Sequence, residues 1–332
     1  GRACNLPPLA DREDRQENRG RGAGMETRKI GSLEVSVVGL GCNNFGRRVD
    51  AAGTKAVVDA ALEAGINFFD TADIYGNGES EEYLGRALGP RRGEIVLATK
   101  FGMRMEDGGQ GARPDYVRRA VEASLRRLGT DRIDLYQLHR PDDSVPIADT
   151  LGALDELVRA GKVREIGCSN FSVEQLREAE VAAAGGARFV SVQNEYSLFH
   201  RDPEAGVLQE CERLGLGFIP YFPLASGLLT GKYRQGEKAP AGSRLTEGRF
   251  AELMTDERLG QVERLRQFAE TRGHTLLELA FSWLLARPVV TSVIAGATRA
   301  SQVDANAAAA GWRLNDADLA EIDEILAAPQ PS

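Results

Sequence analysis

The chain alternates short β-prone runs with amphipathic segments of helical period, and this alternation constrains its fold more than any other feature. Eight runs rich in β-branched residues follow one another, at residues 35–40, 67–70, 94–100, 133–139, 163–167, 190–193, 217–221 and 289–294. Between them, apolar residues recur at helical spacing, as at Val117, Val121 and Leu125. Strands that alternate with helices form parallel sheets, which are either open or closed into a barrel. The eight runs and the length of 332 residues favour a (β/α)8 TIM barrel, with an open sheet as the alternative.

Three segments do not belong to a minimal barrel. Residues 1–24 are rich in Arg, Asp, Glu and Gly, which predicts a disordered leader before a single domain over 25–332. Residues 25–35 carry Gly31 and Ser32 between two short β-prone runs, which predicts an N-terminal β-hairpin at the barrel bottom. Residues 224–254 form a long, Gly-rich and charged connection of the kind that serves as a lid or binding loop. Two helices are predicted after it, over 256–271 and 275–286.

Composition and charge exclude several classes of function. The net charge is −8, from 49 acidic and 41 basic residues, and no basic stripe suited to a nucleic acid is present. The four cysteines form no CxxC pair and the three histidines have no metal-binding spacing, so we predict neither disulfides nor a metal site. A reducing, cytoplasmic location is expected. No apolar run approaches the ~20 residues that span a bilayer, and no feature specifies an oligomeric state.

Four ionisable residues lie at or just past the carboxyl ends of predicted strands: Asp70, Tyr75, Lys100 and His139. A strand buried on both faces is apolar along its length, so charge at its end calls for another explanation than packing. The carboxyl ends of barrel strands converge on one face, which would make these residues neighbours. The pattern predicts a proton-transfer site.

Polar and glycine motifs follow the strands in a fixed order: Gly39-Leu40-Gly41, Asp70-Thr71-Ala72-Asp73-Ile74-Tyr75-Gly76, Thr99-Lys100, Leu138-His139, Gly167-Cys168-Ser169-Asn170, Gln193 and Tyr221-Phe222-Pro223-Leu224. In this order and spacing they resemble the aldo-keto reductase superfamily, from residue 25 to the C-terminus. The similarity extends to a bacterial branch and to potassium-channel β-subunits. The resemblance implies that the four ionisable residues are a catalytic tetrad.

Each member of the implied tetrad has a physically sensible role. Tyr75 would protonate a substrate carbonyl oxygen while a reduced nicotinamide delivers hydride. An ammonium of Lys100 at ~4 Å and an effective dielectric of ~20 would stabilise the phenolate by about 4 kcal/mol, or about three pKa units before desolvation. Asp70 would pair with Lys100, and His139 would orient the carbonyl.

The resemblance also implies a nicotinamide site. Ser169, Asn170 and Gln193 would bind the carboxamide and Tyr221 would stack on the ring, although Ser169 and Asn170 are equally suited to cap the helix before Val173. The remaining cofactor candidates are Phe222, Pro223, Leu224, Gly227, Gly296, Thr298, Arg299, Gln302 and Asn306. Arg299, beside a helix start, is the candidate for a 2′-phosphate, which favours NADPH. Gly296 and Gln302 stand where many relatives carry Lys and Arg, so NADH remains an alternative.

The substrate and the activity are less specified. The predicted pocket residues are Asn43, Asn44, Phe45 and Phe101, without a basic cluster for a sugar phosphate, which favours a small aldehyde or ketone. Three functions follow. The first is an NADPH-dependent carbonyl reductase, and the second is a nicotinamide-binding regulatory or partner-binding protein with little turnover. The third is a class I aldolase that uses Lys100 as a Schiff base.

Overall fold

Within the described residues, eight parallel strands form one closed sheet in the computed structural model of the chain. The description covers residues 24–233 and 254–327, so the predicted leader, apart from Gly24, and residues 234–253 of the predicted lid lie outside it. The strands are β1 (Thr27–Ile30), β2 (Leu33–Ser36), β3 (Val38–Gly41), β4 (Phe68–Asp70), β5 (Val96–Phe101), β6 (Ile133–Leu138), β7 (Val163–Ser169), β8 (Phe189–Glu195), β9 (Gly217–Tyr221) and β10 (Val293–Gly296). The strands from β3 to β9 pair in sequence order, and β10 pairs with β3. A parallel bridge from Phe218 to Val290 closes the circle, which confirms the (β/α)8 barrel and not an open sheet.

Helices connect the barrel strands, and the last two helices follow β10. They are α1 (Ala51–Glu63), α2 (Glu79–Leu88), α3 (Pro114–Leu128), α4 (Ile147–Arg159), α5 (Val173–Ala182), α6 (Val207–Leu214), α7 (Asp256–Glu270), α8 (Leu276–Leu285), α9 (Ala300–Ala308) and α10 (Asp316–Ala327). The Asp50 carboxylate caps α1 by accepting a hydrogen bond from the Gly53 amide at 2.8 Å. Gly129 ends α3 at φ +62°, a conformation that glycine adopts without steric cost. None of the helices in the described ranges is long and apolar enough to cross a bilayer.

The two faces of the barrel strands bury different layers. On β5, Val96 and Ala98 belong to the inner cluster of apolar side chains, whereas Leu97 and Phe101 belong to the larger cluster between the sheet and the helices. Successive residues of a strand point to opposite faces, so Lys100 points inward. This alternation decides which side chains at the strand ends reach the barrel mouth.

The N-terminal hairpin plugs the bottom of the barrel. β1 and β2 pair antiparallel, with Ile30 opposite Leu33 and a turn at Gly31, where φ is +56°. Ile30, Leu33 and Val35 are fully or almost fully buried against inward side chains of β4, β5, β6 and β9. The predicted hairpin is therefore confirmed, and residue 35 belongs to it and not to the first barrel strand.

The last barrel strand begins later than the sequence predicts. The predicted run, 289–294, starts at residues that pair with β9, since Val290 bridges Phe218 and the Thr291 amide donates to the Phe218 carbonyl at 2.9 Å. Pairing with β3 starts only at Val293. The first residues of this apolar run thus pair with β9 and the later ones with β3, so β10 begins only at Val293.

Leu33→Ala should lower the free energy of unfolding by about 3 kcal/mol, because it removes buried methyl groups and leaves a cavity at the barrel bottom. Urea denaturation followed by tryptophan fluorescence measures the change. Lys29→Ala, at an exposed position of the same hairpin, is the matched control and should change it by less than about 0.5 kcal/mol. Equal losses in both variants would contradict the plugging role of the hairpin.

Candidate active site

The structure brings the four predicted tetrad residues together at the carboxyl end of the barrel. Asp70 is the last residue of β4, Lys100 lies near the end of β5, and His139 directly follows β6. The Lys100 Nζ is 2.5 Å from the Asp70 Oδ2 and 5.2 Å from the centroid of the Tyr75 ring. The rings of Tyr75 and His139 meet edge to face, with centroids 5.9 Å apart. The proximity expected from the strand ends is thus present.

Lys100 is a buried ammonium. Its side chain has no exposed surface, and its Nζ donates to the Asp70 carboxylate and to the Thr71 carbonyl at 2.9 Å. Burial alone would lower the pKa of the amine, but the attraction of Asp70 and the interaction with Tyr75 outweigh it and raise the pKa above its usual value. A Schiff-base lysine needs a neutral amine, so these contacts disfavour the aldolase alternative.

Two glutamines hold the other oxygen of Asp70. The Nε2 atoms of Gln137 and Gln193 both donate to the Asp70 Oδ1, each at 3.0 Å. Sequence reasoning missed Gln137, although it lies two residues before His139 and therefore points to the same inner face of β6. Gln193 was predicted to contact a nicotinamide, and here its amide donor is used by Asp70. The carboxylate is thereby fixed from both sides.

Tyr75 carries a protonated phenol at neutral pH. Burial raises its pKa, and Lys100 opposes this by attraction and by hydrogen bonding, yet the balance stays above the usual value of 10.0. The effect of the lysine predicted from the sequence was a value before desolvation, and in the structure desolvation is the larger effect. A phenol that keeps its proton is suited to donate it.

His139 presents a neutral imidazole to the site. Burial, together with the nearby cations Lys100 and Arg140, lowers its pKa to about 3. The Asn170 side chain donates to the His139 carbonyl at 3.0 Å and so fixes the backbone after β6. A neutral ring carries one N–H, which can serve as a donor to a substrate oxygen.

The residues predicted for the nicotinamide form one hydrogen-bonded group. The Ser169 hydroxyl donates to the Gln193 carbonyl at 2.6 Å, and the Tyr221 hydroxyl donates to the Asn170 Oδ1 at 2.8 Å. The alternative reading of Ser169 and Asn170 as the helix cap is wrong, because Ser172 caps α5. Asn170 instead adopts a left-handed conformation, with φ +62°, which is uncommon outside glycine. That conformation brings its amide between β6 and β9.

The backbone after β9 is held in a sparsely populated conformation. Phe222, Ala225 and Ser226 have φ of +51°, +46° and +59°. Non-glycine residues in this region are strained, and such strain concentrates where ligands bind. Pro223 is buried and Leu224 is half-buried in the same turn. A side chain at Gly227 would come within 3.5 Å of the Lys232 ammonium, a cation that the sequence analysis did not single out.

The turn between β10 and α9 carries the predicted phosphate residues. The Gln302 side chain folds back, and its Oε1 accepts a hydrogen bond from the Thr298 amide at 2.7 Å. Arg299 is exposed just before α9, with its Nε donating to the Ser301 hydroxyl at 3.1 Å. An exposed guanidinium beside a helix N-terminus is a favourable environment for a phosphate. Gly296 is exposed at the end of β10, and Asn306 is buried at 6% exposure.

The predicted substrate residues divide into two groups. Asn43 is partly exposed, and Asn44, although only 5% exposed, donates to the Ala297 carbonyl at 3.4 Å next to the β10 turn. Phe45 and Phe101 have no exposed surface, contrary to the prediction that they line a pocket rim. Phe101 points outward because Lys100 points inward, and it stacks on Tyr136 with centroids 4.7 Å apart.

Three comparisons place this architecture among known proteins. The sequence model described as "Aldo/keto reductase family" matches residues 37–327. "Aldo-keto reductase yakc [NADP(+)]" of Schizosaccharomyces pombe is 36% identical over 312 residues, 90% of each chain. The "Probable voltage-gated potassium channel subunit beta" of Arabidopsis thaliana is 36% identical over 296 residues, 85% of this chain and 90% of that one. The structure of a glycerol dehydrogenase from Gluconobacter oxydans superposes with a TM-score of 0.78 at 32% identity, covering 92% of this chain and 97% of that one.

A spectroscopic titration tests the state of the phenol. The ultraviolet difference between the wild type and Tyr75→Phe, followed against pH, isolates phenolate formation at Tyr75. We expect its midpoint above 10.0, because burial opposes the phenolate charge more than Lys100 favours it. A midpoint below that value would contradict this account of the site. Tyr83→Phe, which removes a partly exposed phenol of α2, is the control for the subtraction.

Proposed function

Since this chain belongs to the aldo/keto reductase family, we propose that it is an NADPH-dependent oxidoreductase that reduces a small aldehyde or ketone to an alcohol. One observation carries the proposal: a protonated phenol at Tyr75 lies beside a buried ammonium at Lys100 and a neutral ring at His139. These three groups supply a proton, a charge to stabilise the donor after it loses that proton, and a hydrogen bond for the substrate oxygen.

In this proposal the proton passes directly from Tyr75 to the substrate. A reduced nicotinamide supplies a hydride to the carbonyl carbon when it is bound. Tyr75 gives its phenolic proton to the carbonyl oxygen, and Lys100 stabilises the phenolate that remains by about 4 kcal/mol, for charges ~4 Å apart at an effective dielectric of ~20. His139 donates its N–H to the same oxygen and opposes the build-up of charge there. Asp70 keeps Lys100 charged and in place.

The cofactor site in this proposal runs from β7 to α9. The hydroxyl of Ser169 and the amide of Asn170 suit a carboxamide, which has both donors and an acceptor. The half-buried ring of Tyr221 offers a face for stacking. Arg299 and the start of α9 are the expected phosphate contacts, and the name of the fission yeast relative includes NADP(+). Gly227, Gln302 and Asn306 keep their predicted cofactor roles as part of this proposal.

A regulatory function is the second candidate, because one relative is named a probable potassium channel subunit. Such a role needs cofactor binding and a partner but little turnover. The complete proton-transfer group argues for the enzyme, since a buried ion pair is costly to maintain without a use for its charge. The cytoplasmic location remains part of the proposal, and free thiols at Cys42, Cys168 and Cys211 fit it.

Tyr75→Phe should reduce turnover at least 100-fold while leaving the Kd for NADPH within about twofold, because the proton donor is lost and the pocket keeps its shape. A panel of short aldehydes, aromatic aldehydes and ketones with both nicotinamides measures activity, and fluorescence quenching measures cofactor binding. Tyr83→Phe is the matched control and should keep full activity. Wild-type protein that binds NADPH but turns over no carbonyl would favour the regulatory function instead.

Arg299→Ala should weaken NADPH binding about tenfold and NADH binding by less than twofold, because the guanidinium is expected to contact the 2′-phosphate that only NADPH carries. Calorimetric titration with both cofactors gives the two ratios. Arg126→Ala, at an exposed position of α3, is the control for the loss of one surface charge. Equal weakening of both cofactors would refute the 2′-phosphate role.

A further inference from the structure

Asp73 is a buried carboxyl in the loop that carries the tetrad. It lies between Asp70 and Tyr75 in the chain and has 2% exposure. Its amide donates to the Lys100 carbonyl at 3.1 Å, while the Lys100 ammonium donates to the Thr71 carbonyl of the same loop. The loop and the end of β5 are therefore joined at the catalytic lysine itself. The proposed mechanism gives Asp73 no task.

The carboxyl of Asp73 lies in a polar cluster behind the tetrad. The ionisable groups that interact with it electrostatically are Glu81 of α2, Tyr116 and Arg127 of α3, Tyr136 of β6 and Lys100 of β5. Glu81 is fully buried and both of its oxygens are used, by the Arg127 Nε at 2.7 Å and the Thr99 hydroxyl at 2.6 Å. In the described part of the chain, Asp73 Oδ1 and the Tyr136 hydroxyl have no hydrogen-bond partner.

Charge balance in this cluster determines the state of Asp73. Arg127 is the guanidinium that acts on both carboxyls, and its bonded partner is Glu81. Two buried carboxylates that share one cation cannot both stay ionised at little cost, so one of them holds a proton. The carboxyl without the ion pair is Asp73. Burial and, to a smaller extent, the nearby Glu81 carboxylate raise its pKa to about 8, against the opposing effects of Arg127, the Ile74 amide and Lys100.

We propose that Asp73 is a positioning residue that holds a proton while the enzyme reduces carbonyls. When it ionises at alkaline pH, its negative charge weakens the stabilisation that Lys100 gives to the Tyr75 phenolate. The catalytic effect of Asp73 rests on the proposed function, whereas the protonation of its carboxyl depends only on the surrounding buried groups. When the proton leaves for solvent, a second carboxylate competes with the Tyr75 phenolate for the same ammonium. Phenolate formation then becomes less favourable, and alcohol oxidation, which needs Tyr75 as a proton acceptor, is opposed.

The size of this effect is measurable. Two charges ~10 Å apart at an effective dielectric of ~20 shift one another's pKa by about one unit. Asp73→Asn keeps the shape and removes the ionisation, and Asp73→Ser is a second neutral variant in case the amide packs poorly. Asp131→Asn, at an exposed position before β6, is the matched control for the loss of one carboxylate.

The decisive experiment is the ultraviolet titration of Tyr75 in these variants, each against the same variant carrying Tyr75→Phe. We expect Asp73→Asn and Asp73→Ser to lower the phenolate midpoint by about one pH unit and Asp131→Asn to leave it within about 0.2 units. Unchanged midpoints in both Asp73 variants would overturn the proposal. This readout needs no turnover, so it separates failure of the Asp73 role from failure of the proposed function.

The pH profile of kcat for alcohol oxidation tests the catalytic effect of Asp73. The alkaline rise should move to lower pH by about one unit in Asp73→Asn, while carbonyl reduction below pH ~7 stays within twofold, because Asp73 is protonated there in the wild type. Superposable oxidation profiles in wild type and variant would overturn the catalytic part. A uniform loss of kcat at every pH would mark a purely structural role and would overturn it as well.

Discussion

The buried ion pair between Asp70 and Lys100 is the interaction on which the rest of the site depends. Removing both charges from water is costly, and their attraction compensates only when the remaining hydrogen-bonding positions are satisfied. The structure satisfies them with Gln137, Gln193 and the Thr71 carbonyl. Each of these partners comes from a different strand or loop, so the pair has all of its partners only in the folded barrel.

A second buried carboxyl cluster lies directly behind the first. Both oxygens of Glu81 accept hydrogen bonds, from Arg127 and Thr99. Asp73, whose Oδ1 has no partner among the described residues, holds the proton that balances the charge. The loop 70–75 thus has one face in each cluster, and Lys100 is bonded to it through both its ammonium and its carbonyl. Movement of a proton in one cluster is expected to change the field in the other, because the side chains of both are buried and solvent screens buried charges weakly.

The sequence predicted the barrel, the hairpin and the grouping of the tetrad because these depend on periodicity and on the convergence of strand ends. Two further features were missed although local rules contain them. The outward direction of Phe101 follows from the inward direction of Lys100, and the alternation rule could have shown it. Ser172 and Gln175 carry a capping-box signature that identifies the true start of α5 in advance. The burial of Asp73 and the late start of β10 depend on contacts between elements distant in sequence, which no local pattern contains.

The site needs a charged Lys100, and an NMR titration measures that charge. The side-chain nitrogen signal of Lys100, assigned by its loss in Lys100→Met, reports whether the amine is protonated as pH rises. The account predicts that this nitrogen remains an ammonium past 10.5, the usual pKa of a lysine, because Asp70 and Tyr75 favour the charged form more than burial opposes it. Conversion to a neutral amine below that pH would contradict the account.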